Sequence, residues 1–241
     1  MRIPRLFSDQ EFALNTDIAL AEGPSHHALK VLRMSVGRAL IVFNGHGGEY
    51  HGEIIDSSRR QAIVRLHQFF SEDCESPLQT ELAIGISRGD RFDFVLQKAT
   101  ELGVSTIVPL FTERTEVKLN AERLDKKIQS WQAIIQSACE QSGRNRVPLL
   151  QAPVNLSDYV HRAIAPLRLV LHHRNPTQLA SLPDTQSLAL LVGPEGGLSD
   201  GEINDAENAG FQSLRLGPRV LRTETAPICA LSLCQHRWGD I

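Results

Sequence analysis

The chain has 241 residues, enough to bury a full core in one domain or two. Its hydrophobic content of 41% and charged content of 22% are ordinary for a soluble globular protein, and no apolar run approaches the roughly 18 residues of a membrane span. With 25 basic and 28 acidic residues the net charge is −3, which gives no global attraction to nucleic acid, so any RNA contact must use a local basic patch.

The N-terminus, Met1-Arg2-Ile3-Pro4-Arg5, lacks the apolar core of a signal peptide, and a cytoplasmic location is expected. Cys74, Cys139, Cys229 and Cys234 form no CxxC pair and no zinc-ligand spacing, so they read as reduced, mostly buried thiols. His172-His173 lacks a third ligand, and no metal is expected there.

Residues 1–72 are rich in short β signals. His26 to Arg33 is a short helical candidate. Ala39 to Phe43 is an apolar strand, followed by the hairpin-like turn Asn44-Gly45-His46-Gly47-Gly48. Glu49 to Ile55 and, with Ile63 as an exception, Gln61 to His67 alternate polar and apolar residues, as half-buried strands do. The pattern fits a small β-barrel of a size that often binds RNA. Ser71 to Pro77 is polar, acidic and ends in proline, which marks a linker. From residue 73 to 241 strands and helices alternate, which predicts an α/β domain with a mostly parallel sheet. The expected strands are Leu82–Ile86, Thr106–Phe111, Leu167–Leu171, Leu188–Val192 and Ser213–Leu216. The expected helices are Phe92–Leu102, with an Asp90 start signal, and Ala121–Ser142, with Trp131 and Ile135 on its buried stripe. Ser199 and Glu202 form a capping box for the next helix, and Thr225 is a plausible cap for the last.

Two glycine-rich turns stand out, Val192-Gly193-Pro194-Glu195-Gly196-Gly197 and Leu216-Gly217-Pro218-Arg219-Val220-Leu221-Arg222-Thr223-Glu224-Thr225-Ala226. Each follows an apolar run, and strand carboxyl ends are where open α/β sheets bind ligands. The P-loop pattern, the dinucleotide GxGxxG fingerprint and the GxSxG nucleophile elbow are all missing. Backbone amides and carbonyls at such turns suit an adenine edge and a ribose but do not cradle a pyrophosphate. S-adenosylmethionine meets that description.

Those two motifs resemble the RsmE family of ribosomal small-subunit RNA uridine-N3 methyltransferases of the SPOUT superfamily. So do Gln97-Lys98-Ala99-Thr100-Glu101-Leu102-Gly103-Val104, Gln141-Ser142-Gly143-Arg144 and Val31-Leu32-Arg33. The resemblance implies a PUA-like N-terminal β-barrel (1–72) and a SPOUT methyltransferase domain (73–241) with a deep trefoil knot. It implies S-adenosylmethionine as cofactor, 16S rRNA of the small subunit as partner, and a homodimer that completes the active site. Burial of the terminal helix face bearing Ile228, Leu231 and Leu233 would be the dimer's physical basis. By position, Leu171 and His172 would form one cofactor loop, and Gly193, Pro194, Glu195, Gly196 and Gly197 the second. Leu216, Gly217, Leu221, Thr223, Thr225 and Ala226 would contribute from the third.

Methyl transfer to uracil N3 requires orientation and removal of an imide proton, with charge developing on O2 and O4. Arg222 is the leading candidate to stabilise that charge, and Glu195 and Glu224 are base candidates. Lys30, Arg33, Arg88, Arg91, Arg144 and Arg146 are candidates to contact RNA phosphates, each weighed against a plain solvated surface. Two competing readings stay open: another SPOUT activity such as ribose 2′-O methylation, and a non-catalytic RNA-binding protein that has kept the fold.

Overall fold

The computed structural model describes residues 3–57, 61–117, 121–174 and 176–241, so Met1 and Arg2 of the N-terminal reading lie outside it. The chain forms two compact units, Met1–Glu75 with Gln136–Val147, and Ser76–Ile135 with Pro148–Ile241.

The first unit contains β1 (Arg5–Phe7), β2 (Asp17–Ala19), α1 (Glu22–His26) running into a π turn over His27–Val31, β3 (Ala39–Phe43), β4 (Glu49–Asp56) and β5 (Ile63–Phe70). The helical candidate thus begins four residues earlier than the sequence suggests. Pairing runs β1-β3-β4-β5-β2, which makes a curled sheet whose end strands β1 and β2 do not pair with each other. The β3–β4 hairpin is antiparallel, and β-bulges after His51 and Ile54 add bend where β4 meets β5. Alternation places Val42, Ile54, Val64 and Leu66 on one inner face, packed with Leu6, Leu20 and Ala28.

Residues 136–147 belong to this unit through specific bonds. The Phe7 amide donates to Glu140 at 2.9 Å, and Arg5 donates to the carbonyls of Gly143 and Arg144 at 3.2 Å. Arg5 also pairs with Glu49. Linear periodicity carries no trace of this attachment.

The second unit is built on a parallel sheet of β6 (Gln79–Gly85), β7 (Thr106–Phe111), β8 (Leu149–Leu150), β9 (Val154–Asn155), β10 (Leu167–Leu171), β11 (Ser187–Val192) and β12 (Gln212–Leu214). The order is β12-β10-β11-β6-β7-β8, with β9 also against β7. Every pair is parallel, and the register sets Val192 beside Ile84 and Ala83 beside Val108. The central strands read as continuous apolar runs because helices cover both faces of such a sheet. Those helices are α2 (Asp90–Glu101), α3 (Ala121–Ser142), α4 (Leu156–Arg162), α5 (Asp200–Asn208) and α6 (Thr225–Trp238). Phe92 of α2 stacks on Trp131 of α3 with ring centroids 4.7 Å apart.

The capping box opens α5 with both bonds present. Glu202 N–H donates to Ser199 Oγ at 3.2 Å, and Ser199 N–H donates to Glu202 at 2.8 Å. Thr225 does not cap α6. Glu224 occupies the cap position without a side-chain bond, and the Arg222 carbonyl accepts the N–H groups of both Thr225 and Ala226 at 3.0 Å. A local backbone turn thus supplies what the cap would have supplied. On α6, Leu231 is fully buried in its own unit and is not available to a partner subunit, whereas Leu233 is exposed and Ile228 half-buried.

The cysteines are more varied than expected. Cys139 and Cys234 are buried and their thiols are pushed up to about 12 by burial, but Cys74 is exposed and Cys229 half-buried. No described helix is long and apolar enough to cross a membrane.

Candidate active site

The strand order decides where the site forms. Because β12, β10 and β11 are adjacent and parallel, their carboxyl ends deliver Leu214, Leu171 and Val192 to one edge, and β6 and β7 end beside them. The loops that leave these ends line a cleft of about 860 Å³. Leu171, His172 and His173 come from the first loop, Gly193 to Leu198 from the second and Leu216 to Glu224 from the third, with Ala226 at the start of α6. Every residue assigned to cofactor or catalysis from sequence is in this lining except Thr225, the exposed first residue of α6.

Close approach explains the glycines. A Cβ on Gly193 would stand 2.9 Å from Gly197 C and Leu198 N, so only glycine lets the second turn fold back on itself. Gly197 and Gly217 have φ of +69° and +79°, and neither has an atom within 4 Å of where a Cβ would point. The second and third loops are joined by the Thr223 hydroxyl, which donates to the Gly193 carbonyl at 2.7 Å.

Glu195 does not point freely into the cleft. Its carboxylate accepts the Arg88 N–H at 2.8 Å and Arg91 Nη1 at 3.2 Å. Burial alone would raise its pKa, but the amides of Arg88 and Glu195 together with Arg91 outweigh that and hold it below the ordinary value. A carboxylate so stabilised is a poor proton acceptor. Glu224 lines the same cleft, and among the described residues no hydrogen bond or ion pair engages its carboxylate. Arg222 is exposed and likewise has no acidic partner among the described residues. His172 is kept below its usual pKa by burial and by His173, whose ring lies 4.4 Å away. Its Nδ1 accepts the Arg174 N–H at 3.1 Å, which fixes the ring in the cleft wall.

The remaining basic candidates separate into different environments. Arg91 lines the cleft, and Arg88 sits next to it with its guanidinium 3.0 Å from Glu116. In the first unit Lys30 and Arg33 are exposed, Arg33 in the left-handed region at φ 51°. Arg146 is half-exposed and pairs with Asp73 at 2.9 Å. Arg144 is only 4% exposed, and its Nε donates to Glu75 at 3.1 Å, so it braces the 136–147 segment instead of facing solvent. Arg114, His173, Arg215 and Arg219 also line the cleft and were missed from sequence. Arg114 follows the end of β7 by three residues, so the strand-end rule already used for the glycine turns would have found it.

The residues fit an adenosine-type cofactor. Leu171, Leu198, Leu216, Leu221 and Ala226 supply apolar walls, and the glycine turns present bare backbone between them.

The fold and this cleft define the class. The family described as RNA methyltransferase domain matches residues 74–235, and the RNA methyltransferase PUA domain matches residues 24–66. The ribosomal RNA small subunit methyltransferase E of Buchnera aphidicola subsp. Schizaphis graminum is 33% identical over 100% of this chain and 98% of its own length. That of Bacillus subtilis is 31% identical over 88% and 87%. A solved Neisseria gonorrhoeae ribosomal RNA small subunit methyltransferase E bound to S-adenosyl methionine matches with TM-score 0.92 and 34% identity, covering 100% of both chains. A Legionella pneumophila methyltransferase in complex with the cofactor SAM matches with TM-score 0.98 and 42% identity, again over 100% of both. The chain belongs to the ribosomal RNA small subunit methyltransferase E family.

Proposed function

We propose that this protein uses S-adenosylmethionine to methylate N3 of a specific uridine in 16S rRNA of the small ribosomal subunit. The observation that carries the reading is the charge of the cleft. Arg91, Arg114, Arg215, Arg219 and Arg222 line it against only Glu195 and Glu224, in a chain whose net charge is −3. A cleft with apolar and glycine walls and an excess of arginine suits a polyanionic substrate brought to a small cofactor.

The second and third loops would hold the cofactor: Gly193, Pro194, Gly196, Gly197, Leu216, Gly217, Leu221, Thr223 and Ala226, with Leu171 and His172 on the remaining wall. Bound there, it supplies an electrophilic methyl group. The protein must hold N3 in line and stabilise the uracil anion, and Arg222, exposed in the cleft lining, would meet the charge on O2 and O4. Glu224, unengaged by other side chains, is the stronger base candidate. Glu195, tied to Arg88 and Arg91, would position the loop.

In this reading residues 1–72 act as the PUA-like RNA-gripping part, with Lys30 and Arg33 on its surface, and 73–241 as the transferring part. The transferring part would carry a deep trefoil knot whose loops form the cofactor site. The enzyme works in the cytoplasm as a homodimer, with Leu233 and Ile228 of α6 as the apolar contribution.

The test is transfer of labelled methyl to unmodified small-subunit RNA, with the product nucleoside identified by mass spectrometry. 3-Methyluridine is expected, with arrest of reverse transcriptase at the mark. A 2′-O-methyl nucleoside, or no transfer with intact RNA binding, would overturn it in favour of the two competing readings.

A further inference from the structure

Arg114 is held against the glycine turn of the second loop by a bond and by its packed stem. Its Nη1 donates to the Gly196 carbonyl at 2.8 Å, and its alkyl stem lies flat on that glycine. A Cβ at Gly196 would sit 3.1 Å from Arg114 Cβ and 3.3 Å from its Cδ. The loop carrying it is itself braced. Glu113 N–H donates to the capping carboxylate of Glu202 at 2.8 Å, and Thr112 and Thr115 close a turn with a 2.9 Å bond. Yet no carboxylate among the described residues pairs with Arg114, whereas Arg91 has Glu195 at 3.2 Å and Arg88 has Glu116 at 3.0 Å. Glu195, the nearest acid in sequence to Gly196, is already engaged by Arg91 and the Arg88 amide. Glu113 turns its carboxylate toward Gly201.

A guanidinium with its stem packed, one N–H fixed and its charge unpaired is a preorganised fork for a tetrahedral or planar anion. Arg114 and Gly196 are exposed while Val192 and Leu198 behind them are buried, so the fork faces the mouth of the cleft. We propose that Arg114 and the Gly196 turn form a phosphate-binding subsite that takes an RNA phosphodiester next to the reacting nucleotide. This rests on the methyltransferase reading above and assigns to Arg114 a task separate from that of Arg222: Arg114 registers the RNA backbone, and Arg222 meets the base.

The test uses the full-length protein and unmodified small-subunit rRNA, with RNA affinity measured across a salt series and S-adenosylmethionine affinity measured by calorimetry. Arg114→Ala should weaken RNA binding about tenfold at low salt and lower the log–log salt slope by about 0.7 to 0.9. The loss should appear in KM for RNA and not in kcat, with cofactor affinity within about twofold. Arg114→Gln, which keeps a donor for the Gly196 carbonyl but no charge, should reproduce the salt-slope change with an unchanged melting temperature. Loss of cofactor affinity at an unchanged salt slope would overturn the proposal and make Arg114 a brace of the glycine turn or a partner of the cofactor carboxylate. If the unaltered protein transfers no methyl to this RNA, the methyltransferase reading itself fails, whereas equal salt slopes in variant and parent overturn the phosphate subsite alone.

Discussion

From Val192 to Leu198 the backbone is fixed from several directions. The Gly197 N–H donates to the Pro194 carbonyl at 2.8 Å, Arg114 holds the Gly196 carbonyl, and Arg88 and Arg91 hold Glu195. Gly85, at the end of β6, lies so close that a Cβ there would be 2.6 Å from Pro194 N. From Leu216 to Thr223, by contrast, Pro218, Arg219 and Val220 are exposed, with Val220 at 100%. That stretch is tied by Arg215 Nε to the Gly217 carbonyl at 2.8 Å, by the Thr223 hydroxyl to the Gly193 carbonyl, and by the Thr225 and Ala226 N–H groups to the Arg222 carbonyl at 3.0 Å. One wall of the cleft is preformed and the other is held mainly at its two ends. Ligand binding must then order the third loop, and its cost falls on that loop's conformational entropy.

The largest effect should come from breaking the rigid wall. Gly193→Ala forces Gly197 and Leu198 apart, so calorimetry should show cofactor binding abolished and unfolding should show a loss of about 1–3 kcal/mol. Next is the looser wall's chemistry: Arg222→Ala should lower single-turnover methyl transfer by about 10²-fold or more, with cofactor affinity within a few fold. The tie between the walls is worth less. Thr223→Val leaves the Gly193 carbonyl without that donor and should weaken cofactor binding about fivefold, or about 1 kcal/mol.

The smallest effect is acid-linked. The Glu195 carboxyl sits below its ordinary value of 4.5 in the folded protein, so it contributes stability above that pH that is lost as pH falls through the folded value. Denaturant unfolding of Glu195→Gln from about pH 6 to about pH 3 should therefore show a shallower loss of stability than the parent. Equal slopes would mean that Glu195 does not brace the rigid wall.

Much of this was legible in the residues, and for identifiable reasons. Thr106–Phe111, Leu167–Leu171, Ala39–Phe43 and the helix Ala121–Ser142 fall where expected because each has an unbroken period and clear end signals. The Ser199–Glu202 box is local chemistry and reads directly. The short strands Arg5–Phe7, Asp17–Ala19, Leu149–Leu150 and Val154–Asn155 exist through their partners, and three residues or fewer carry no period of their own. The helix Leu156–Arg162 spans only seven residues, too few for a stripe to show. In the site, the glycine turns announced themselves by composition. The engagement of Glu195 by Arg88 and Arg91 did not, because those residues are more than 100 positions apart. Nor did the burial of Arg144 on Glu75, which only the fold of residues 136–147 brings about.

The arginine-lined mouth also bears on how the protein meets its substrate. Five arginines against two glutamates in the cleft leave the remainder of this net −3 chain more acidic than the whole. Such a distribution favours the approach of a polyanion at the cleft opening, so encounter is biased in orientation before any contact forms. Encounter at that opening gains speed at low ionic strength and loses it within a Debye length of about 10 Å at 0.1 M salt.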